Sequence, residues 1–559
     1  MVKQAVTMMC RRSFRLLLAI GVAGPSIAHA QSQNAPQRID PGIATREVKE
    51  PVTAPPPSPV ATIEIPPEAS PGVLPARIMA GAIRVEGGDD LPADQMMAAI
   101  SPYIGHRLSA DDVQDLLTAV SGIARAHGYL FAHSAIPPQT MAAGVLRVAL
   151  DEGHVDEVRL TGDARSAVAD VLRPLEGHAP KRDEVERRLM LASDLPGVTI
   201  GTVRYAIQSG KGVLIVPVSY DRINGSATLD NRGLEALGPE RARLSVNLAG
   251  LLSHSDEVTF QGLATPIEPH ELLALYGRYA IQPTSAGTEF AVYGTYGETH
   301  SGGRWRAHDP RGESESIGLS VAQPLLRSAK ASLWLMAEAD RIGVDEWWDG
   351  ALVRRDRVTT ISASINGYAP LAGGRLRAGG GIAQGILALG ATRRDNPLAS
   401  RYDAGSRFTM LSAWANWQGD LTGPFSARLA TASQISSDPL PAVEQMTIGG
   451  PYFGRGYNWS ERTGDQGVLG SAEVRAQLLD RRTGFLRWAQ LYTFADAGYV
   501  TNLETEFGTG DLYSAGAGAR FNLAPHLNFE LETAFPLKAV RYDSGNKSPR
   551  VSLSVTSNF

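Results

Sequence analysis

The 559-residue chain has a single cysteine, Cys10. One thiol cannot close an intrachain disulfide or supply a cysteine-based metal site. Long apolar runs are also missing: past residue 30 no uninterrupted stretch approaches the roughly 20 residues that a membrane-spanning helix needs. There is no basic excess, the formal charge being -5, which removes the usual electrostatic footprint of a nucleic-acid partner. Compact catalytic motifs are absent too. His270-Glu271 opens a zincin-like pattern, but Ala274 stands where the second histidine would be. Gly379-Gly380-Gly381 and Gly516-Ala517-Gly518 lie in alternating segments, not between a strand and a helix as a nucleotide loop requires. No Gly-x-Ser-x-Gly elbow occurs. No catalytic residue, metal or cofactor is therefore expected; a barrel hydrolase whose Ser/His pair has no compact motif is the enzymatic alternative.

The first 30 residues carry an address. Lys3, Arg11, Arg12 and Arg15 precede an apolar run from Leu16 to Val22, followed by Pro25 and Ala28-His29-Ala30, the layout of a secretory signal peptide. Its removal takes away four cations and no acid, so -5 becomes -9, and Cys10 leaves with it. An exported chain without a spanning helix is periplasmic, secreted or a β-barrel. Residues 31–76 are polar and dense in proline, which predicts an extended, mobile linker; within it Ile39 to Glu50 is the one candidate helix.

Residues 77–153 predict a small α/β module. Ile83 and Val85 open a strand, Met96 to Ile100 and Val113 to Ala126 have helical spacing with Ser109 as N-cap, and Gly128 to Ala132 and Val145 to Leu150 read as strands. Residues 154–220 predict a second: a strand from Val155 to Leu160, helices over Ala167 to Leu175 and Asp183 to Ala192, a Leu195-Pro196-Gly197-Val198 exit, and a closing strand from Val213 to Val218. From 221 to 559, segments of about ten alternating residues recur between turn residues. Leu333, Leu335, Ala337 and Ala339 alternate with Trp334, Met336, Glu338 and Asp340; Leu527, Phe529 and Leu531 alternate with Asn528, Glu530 and Glu532. Acids confined to one face of an apolar strand imply water on that side and lipid on the other. The last segment ends on an aromatic, Phe559.

Two motifs stand out near the C-terminus. Gly449-Gly450-Pro451-Tyr452-Phe453-Gly454-Arg455-Gly456-Tyr457 is a glycine-rich tip bearing one long cation. In Phe494-Ala495-Asp496-Ala497-Gly498, strand parity puts Tyr492, Phe494, Asp496 and Gly498 on one face. In this order they resemble the loop and strand motifs of two-partner secretion transporters. His127-Gly128-Tyr129, Ile136-Pro137-Pro138-Gln139, Gly144 and Glu152-Gly153 likewise resemble polypeptide-transport-associated (POTRA) domains, and the Leu-Pro-Gly-Val exit resembles that of the second such domain.

The resemblance implies a mixed fold: two POTRA domains in the periplasm, then an outer-membrane antiparallel barrel of about sixteen strands. It implies a transporter that recognises a large exoprotein with an N-terminal secretion domain and passes it to the cell surface. Arg455, with Gly456 and Tyr457, would meet Asp496 of the Phe494-Asp496-Gly498 strand inside the lumen. Phe559 would be read by the barrel assembly machinery, and lipid would surround the wall. In a wet lumen the Arg455–Asp496 pair should contribute on the order of 1 kcal/mol. An outer-membrane assembly factor and a diffusion porin are the alternatives.

Overall fold

In the computed structural model the described residues are 62–64, 78–139, 144–163 and 165–559, save positions 482, 507, 525 and 543, together with Gly42 and Thr45. Residues 1–30 and most of 31–76 lie outside them. Of the candidate helix from Ile39 to Glu50, only Gly42 and Thr45 are described; both are helical and buried, the Thr45 hydroxyl donating to the Gly42 carbonyl at 3.1 Å.

The first module pairs Ala82–Glu86, Val145–Asp151 and His133–Ala135 in that order, the first pair parallel. Helices α1 (Ala93–Ile100) and α2 (Ala110–Ala126) pack on it. α2 starts at a capping box: the Asp112 amide donates to the Ser109 hydroxyl at 3.2 Å and the Ser109 amide to the Asp112 carboxylate at 2.8 Å. These bonds satisfy two groups that a helix start leaves open. Val113, Leu116, Leu117, Val120 and Ala124 repeat at helical spacing and bury against Leu146 and Val148.

Gly128 to Ala132 is not the expected strand. Gly128 takes a positive φ of 97°, Tyr129 makes only an isolated bridge to Lys181, and the strand begins at His133. The segment turns because Leu130 and Phe131 belong to the neighbouring core, where Phe131 stacks on Tyr205 at 4.6 Å between ring centroids. Burial across a module boundary outweighs the local strand pattern.

The second module's sheet runs Ile63–Glu64, Val203–Gln208, Lys211–Tyr220, Glu157–Gly162, with Val198–Ile200 also on Lys211–Tyr220. Its first strand starts at Glu157, Val155 making an isolated bridge to His178. Helices α3 (Ser166–Leu172) and α4 (Arg182–Ser193) complete it. The linker expectation needs one correction: Ile63 and Glu64 pair in parallel with Val203 and Arg204. Ile63 packs on the module's core, so a short apolar stretch of the proline-rich segment is ordered by burial.

Sixteen antiparallel strands, from Ile223–Asp230 to Arg550–Asn558, close into a barrel. The last pairs with the first from Ser226 opposite Asn558 to Asp230 opposite Ser554, leaving no open edge. Parity holds along the wall: Leu335, Ile361, Leu411, Leu531 and Leu553 are exposed outward, while Trp334, Val358 and Glu532 are buried within.

Helix α4 seats the second module against the barrel. Its C-cap Asp194 accepts from Arg327 Nε at 2.7 Å, and Arg327 also donates to Tyr368 at 2.8 Å and Ser332 at 3.1 Å. Arg188 donates to the Ser285 carbonyl at 3.0 Å, and the Gln282 amide donates to the Asp194 carbonyl at 3.2 Å. The 282–288 turn and the end of the strand Arg311–Arg327, both at the module end of the barrel, thus hold one helix.

Candidate functional site: a plug in the lumen

At the far end of the barrel, residues 437–465 join the eleventh strand (Phe425–Ser436) to the twelfth (Gln466–Asp480). Within this loop Met446–Ile448 pairs with Arg462–Gly464, and the hairpin carries the glycine-rich tip inward. Gly449 has φ 111° and a Cβ there would fall 2.0 Å from the Asn458 carbonyl oxygen, so only glycine allows the turn. Gly456 lies against the Phe535–Pro536 backbone, where a Cβ would fall 2.7 Å from the Pro536 nitrogen.

The tip delivers Arg455 to Asp496 on the thirteenth strand (Leu486–Thr501). Arg455 Nε and Nη2 donate to the two Asp496 oxygens at 3.0 Å each, and the Arg455 backbone N–H reaches Oδ2 at 3.0 Å. Ser471 and Ser514, cross-strand neighbours of Asp496, donate to the same carboxylate at 2.8 and 3.1 Å. The guanidinium lies 3.3 Å above the Phe494 ring centroid, a cation–π contact on top of the fork. Tyr457 is fully buried; its hydroxyl accepts from the Lys538 and Ala539 amides at 3.3 and 3.2 Å. Gly498 makes room for the hairpin, since a Cβ there would fall 2.4 Å from Ile448 Cδ1.

The pair is not wet. Arg455 is 7% exposed and Asp496 2%, so the expectation of a screened contact worth about 1 kcal/mol gives way to a buried one. Nor is it only a pair. Arg455 Nη1 also meets Glu473 at 3.0 Å and Glu532 at 3.3 Å. Arg475 and Arg520 donate to Glu473 at 2.7 and 2.8 Å. Tyr492 donates to Glu530 and Glu532 at 2.9 Å, and Arg232 to Glu530 at 3.0 Å. Glu530 and Glu532, placed on a water-facing side by the sequence pattern, lie instead under the plug in ion pairs. Arg232, Arg455, Arg475 and Arg520 are paired with Asp496, Glu473, Glu530 and Glu532, with Arg428 a further cation beside Glu473, so the charges that are buried here meet opposite charges.

Glycines on the fourteenth strand (Gly510–Leu523) make this layer possible. Cβ atoms at Gly516 and Gly518 would fall 2.6 Å from the Phe494 ring and 2.4 Å from the Tyr492 ring, so both rings lie flat over bare backbone. Of these residues the sequence motifs pointed to Arg455, Gly456, Tyr457, Phe494, Asp496 and Gly498. Glu473, Arg475, Arg520, Ser471 and Ser514 were missed, and strand parity with cross-strand register is the signal that carries them.

Phe559 lies elsewhere, at the seam. Its amide donates to the Gly225 carbonyl at 3.0 Å, its carbonyl accepts from Gly225 at 2.9 Å, and its ring faces outward. Among the described residues no group of three His, Cys, Asp or Glu side chains could hold a metal, and no helix is long and apolar enough to cross a membrane.

A closed barrel, apolar outside, preceded by two α/β modules and with a loop tip inserted among its inward-facing side chains, defines a class: an outer-membrane β-barrel transporter with POTRA-type modules, expected in the periplasm. The profile of the family described as haemolysin secretion/activation protein ShlB/FhaC/HecB matches residues 211–521, and that of the ShlB-type POTRA domain matches residues 80–153. The chain is 21% identical over 461 residues to the heme/hemopexin transporter protein HuxB of Haemophilus influenzae, covering 80% of this chain and 81% of that one. It is 25% identical over 396 residues to the hemolysin transporter protein ShlB of Serratia marcescens, covering 67% and 68%. CdiB from Escherichia coli shares the fold with a TM-score of 0.68 at 19% identity, over 89% of this chain and 94% of that one. The chain belongs to the ShlB/FhaC/HecB family of two-partner secretion transporters. It is an outer-membrane exporter of exoproteins.

Proposed function

We propose that the Arg455 tip is a releasable plug: it closes the lumen at rest and withdraws when an exoprotein, taken up by the modules at 77–153 and 154–220, enters the barrel at 221–559. The observation that carries this is the geometry of the plug, a loop held in the lumen by side chains of four adjacent strands and by no covalent link. Its buried, paired charges hold firmly while dry and lose strength once water enters.

The exoprotein would present its N-terminal secretion domain to a module sheet edge and cross unfolded. Folding outside would oppose its return through apolar burial and strand pairing. The chain itself catalyses no covalent step in this scheme and needs no cofactor. Lipid surrounds the wall, and the assembly machinery reads Phe559.

An engineered clasp tests the plug. Ile448→Cys with Gly498→Cys places two thiols where the hairpin touches the wall, in a chain whose own cysteine is Cys10. With the disulfide formed, secretion should stop, and reductant should restore it. Undiminished secretion through the clasped barrel would show that the hairpin need not leave.

A further inference from the structure

The outer wall carries a charged crevice with no part in the lumen. Outward residues of the sixth, seventh and eighth strands (Arg311–Arg327, Ser332–Trp348, Ala351–Leu371) lie in register. At one level these are Leu319, Ala339 and Ile361; toward the far end follow Ile317, Arg341 and Thr359, then Glu315, Gly343 and Arg357, then Glu313, Asp345 and Arg355. The wall passes from apolar to charged within about two residues, roughly 7 Å of strand. That border is where acyl chains give way to lipid headgroups.

The 386–408 loop folds back over this border. Its Ile386 and Thr392 amides donate to the Thr359 and Arg357 carbonyls at 2.9 and 2.7 Å, and Arg341 Nε donates to the Leu389 carbonyl at 3.1 Å. Between loop and wall lies a crevice of about 380 Å³, lined among others by Arg355, Arg357, Gly390, Thr392, Arg393 and Asn396. Arg357 occupies the Asp345 carboxylate with two bonds of 2.7 and 3.0 Å, while Arg355 spends only Nε on it, at 3.0 Å. Glu315 stands 3.9 Å from Arg341. Among the described residues the terminal nitrogens of Arg355 and the whole Arg393 guanidinium have no hydrogen-bond partner, and both side chains are exposed. The lining therefore holds three cations, with Asp345 as the carboxylate hydrogen-bonded to two of them.

We propose that this crevice binds the phosphate of an outer-leaflet lipid headgroup, whose acyl chains run down the apolar wall past Ile361 and Leu335. Paired guanidinium forks suit a phosphate's oxygens. The position at the top of an apolar wall favours a phosphate that carries chains over a free ion.

Purified full-length protein, titrated with diphosphorylated lipid A in mixed micelles, should bind it saturably. Arg355→Ala with Arg393→Ala should weaken that binding by about tenfold or more, and Arg355→Lys with Arg393→Lys should retain most of it. Lipid A stripped of its phosphates should bind the unaltered protein as weakly as lipid A binds the alanine variant. Heat-modifiable gel mobility checks that each variant barrel is assembled. Equal affinity of the unaltered and alanine proteins for lipid A would overturn the site. Inorganic phosphate binding as tightly as lipid A would overturn its assignment to lipid.

Discussion

Asp496 accepts five hydrogen bonds, three of them from Arg455, and this asymmetry shapes what each substitution does. Asp496→Ala takes one bond from the Arg455 backbone and two from its side chain, whereas Arg455→Ala leaves Asp496 its two serines and the backbone N–H at 455, and takes one cation from Glu473, which keeps Arg475 and Arg520, and from Glu532, which keeps Tyr492. Breaking a buried, multiply bonded ion pair costs about 3–5 kcal/mol when one partner is removed. Each single substitution should therefore unseat the tip, and the double should be far less damaging than their sum. Protease protection of residues 449–459 in the assembled barrel reads this directly; a coupling below about 1 kcal/mol would mean that the two residues act separately. A second test leaves every charge in place. Gly518→Ala pushes the Tyr492 ring off the backbone and with it the hydroxyl that binds Glu530 and Glu532. Protection of the tip should fall though no ion has been removed. The motifs made Arg455 and Asp496 legible in the sequence because each is a lone charge among glycines or apolar residues. Glu473 and Arg520 were not legible: parity says that they face the lumen, but not that the tip comes to rest over them.

Among the elements, α4 is the joint between module and wall. The Arg327 guanidinium is buried beneath it and forms an ion pair with the Asp194 carboxylate. Its Leu195-Pro196-Gly197-Val198 exit was readable from sequence as a helix stop, and Gly197 does take a positive φ of 74°. What could not be read is that the residue just before the exit reaches the end of a barrel strand 133 positions away. Asp194→Ala takes the carboxylate from a buried guanidinium that keeps its bonds to Ser332 and Tyr368, which favours opening the joint and wetting the charge. Hydrogen exchange in α4 and in residues 282–288 should rise markedly, while the barrel keeps its heat-modifiable mobility. Unchanged exchange in both segments would remove the ion pair from the joint. The same logic accounts for the misread Gly128–Ala132 stretch. Its apolar residues form a strand-like run, yet Phe131 is spent on the neighbouring module's core, and no local pattern announces a partner across a domain boundary.

For the molecule as a whole, closure rests on its shortest strands. The first three barrel strands have 8, 9 and 9 residues, while the sixth, seventh and eighth have 17, 17 and 21. The seam therefore falls on the low side of the wall, where the first and last strands share five paired positions. Phe559 extends that short ladder by exchanging both backbone bonds with Gly225. Its ring covers the same glycine, where a Cβ would fall 2.7 Å from the ring. Deleting Phe559 removes two of the seam's hydrogen bonds together with an outward-facing aromatic. Each bond contributes only about 1 kcal/mol, too little to unfold a closed barrel but a large share of a five-residue seam. The deletion should thus lower the yield of heat-modifiable barrel several-fold while the modules fold as before. Phe559→Ala keeps both backbone bonds and loses only the ring, so it separates the two contributions. Full assembly of both variants would show that neither the terminal ring nor its ladder helps to close the barrel.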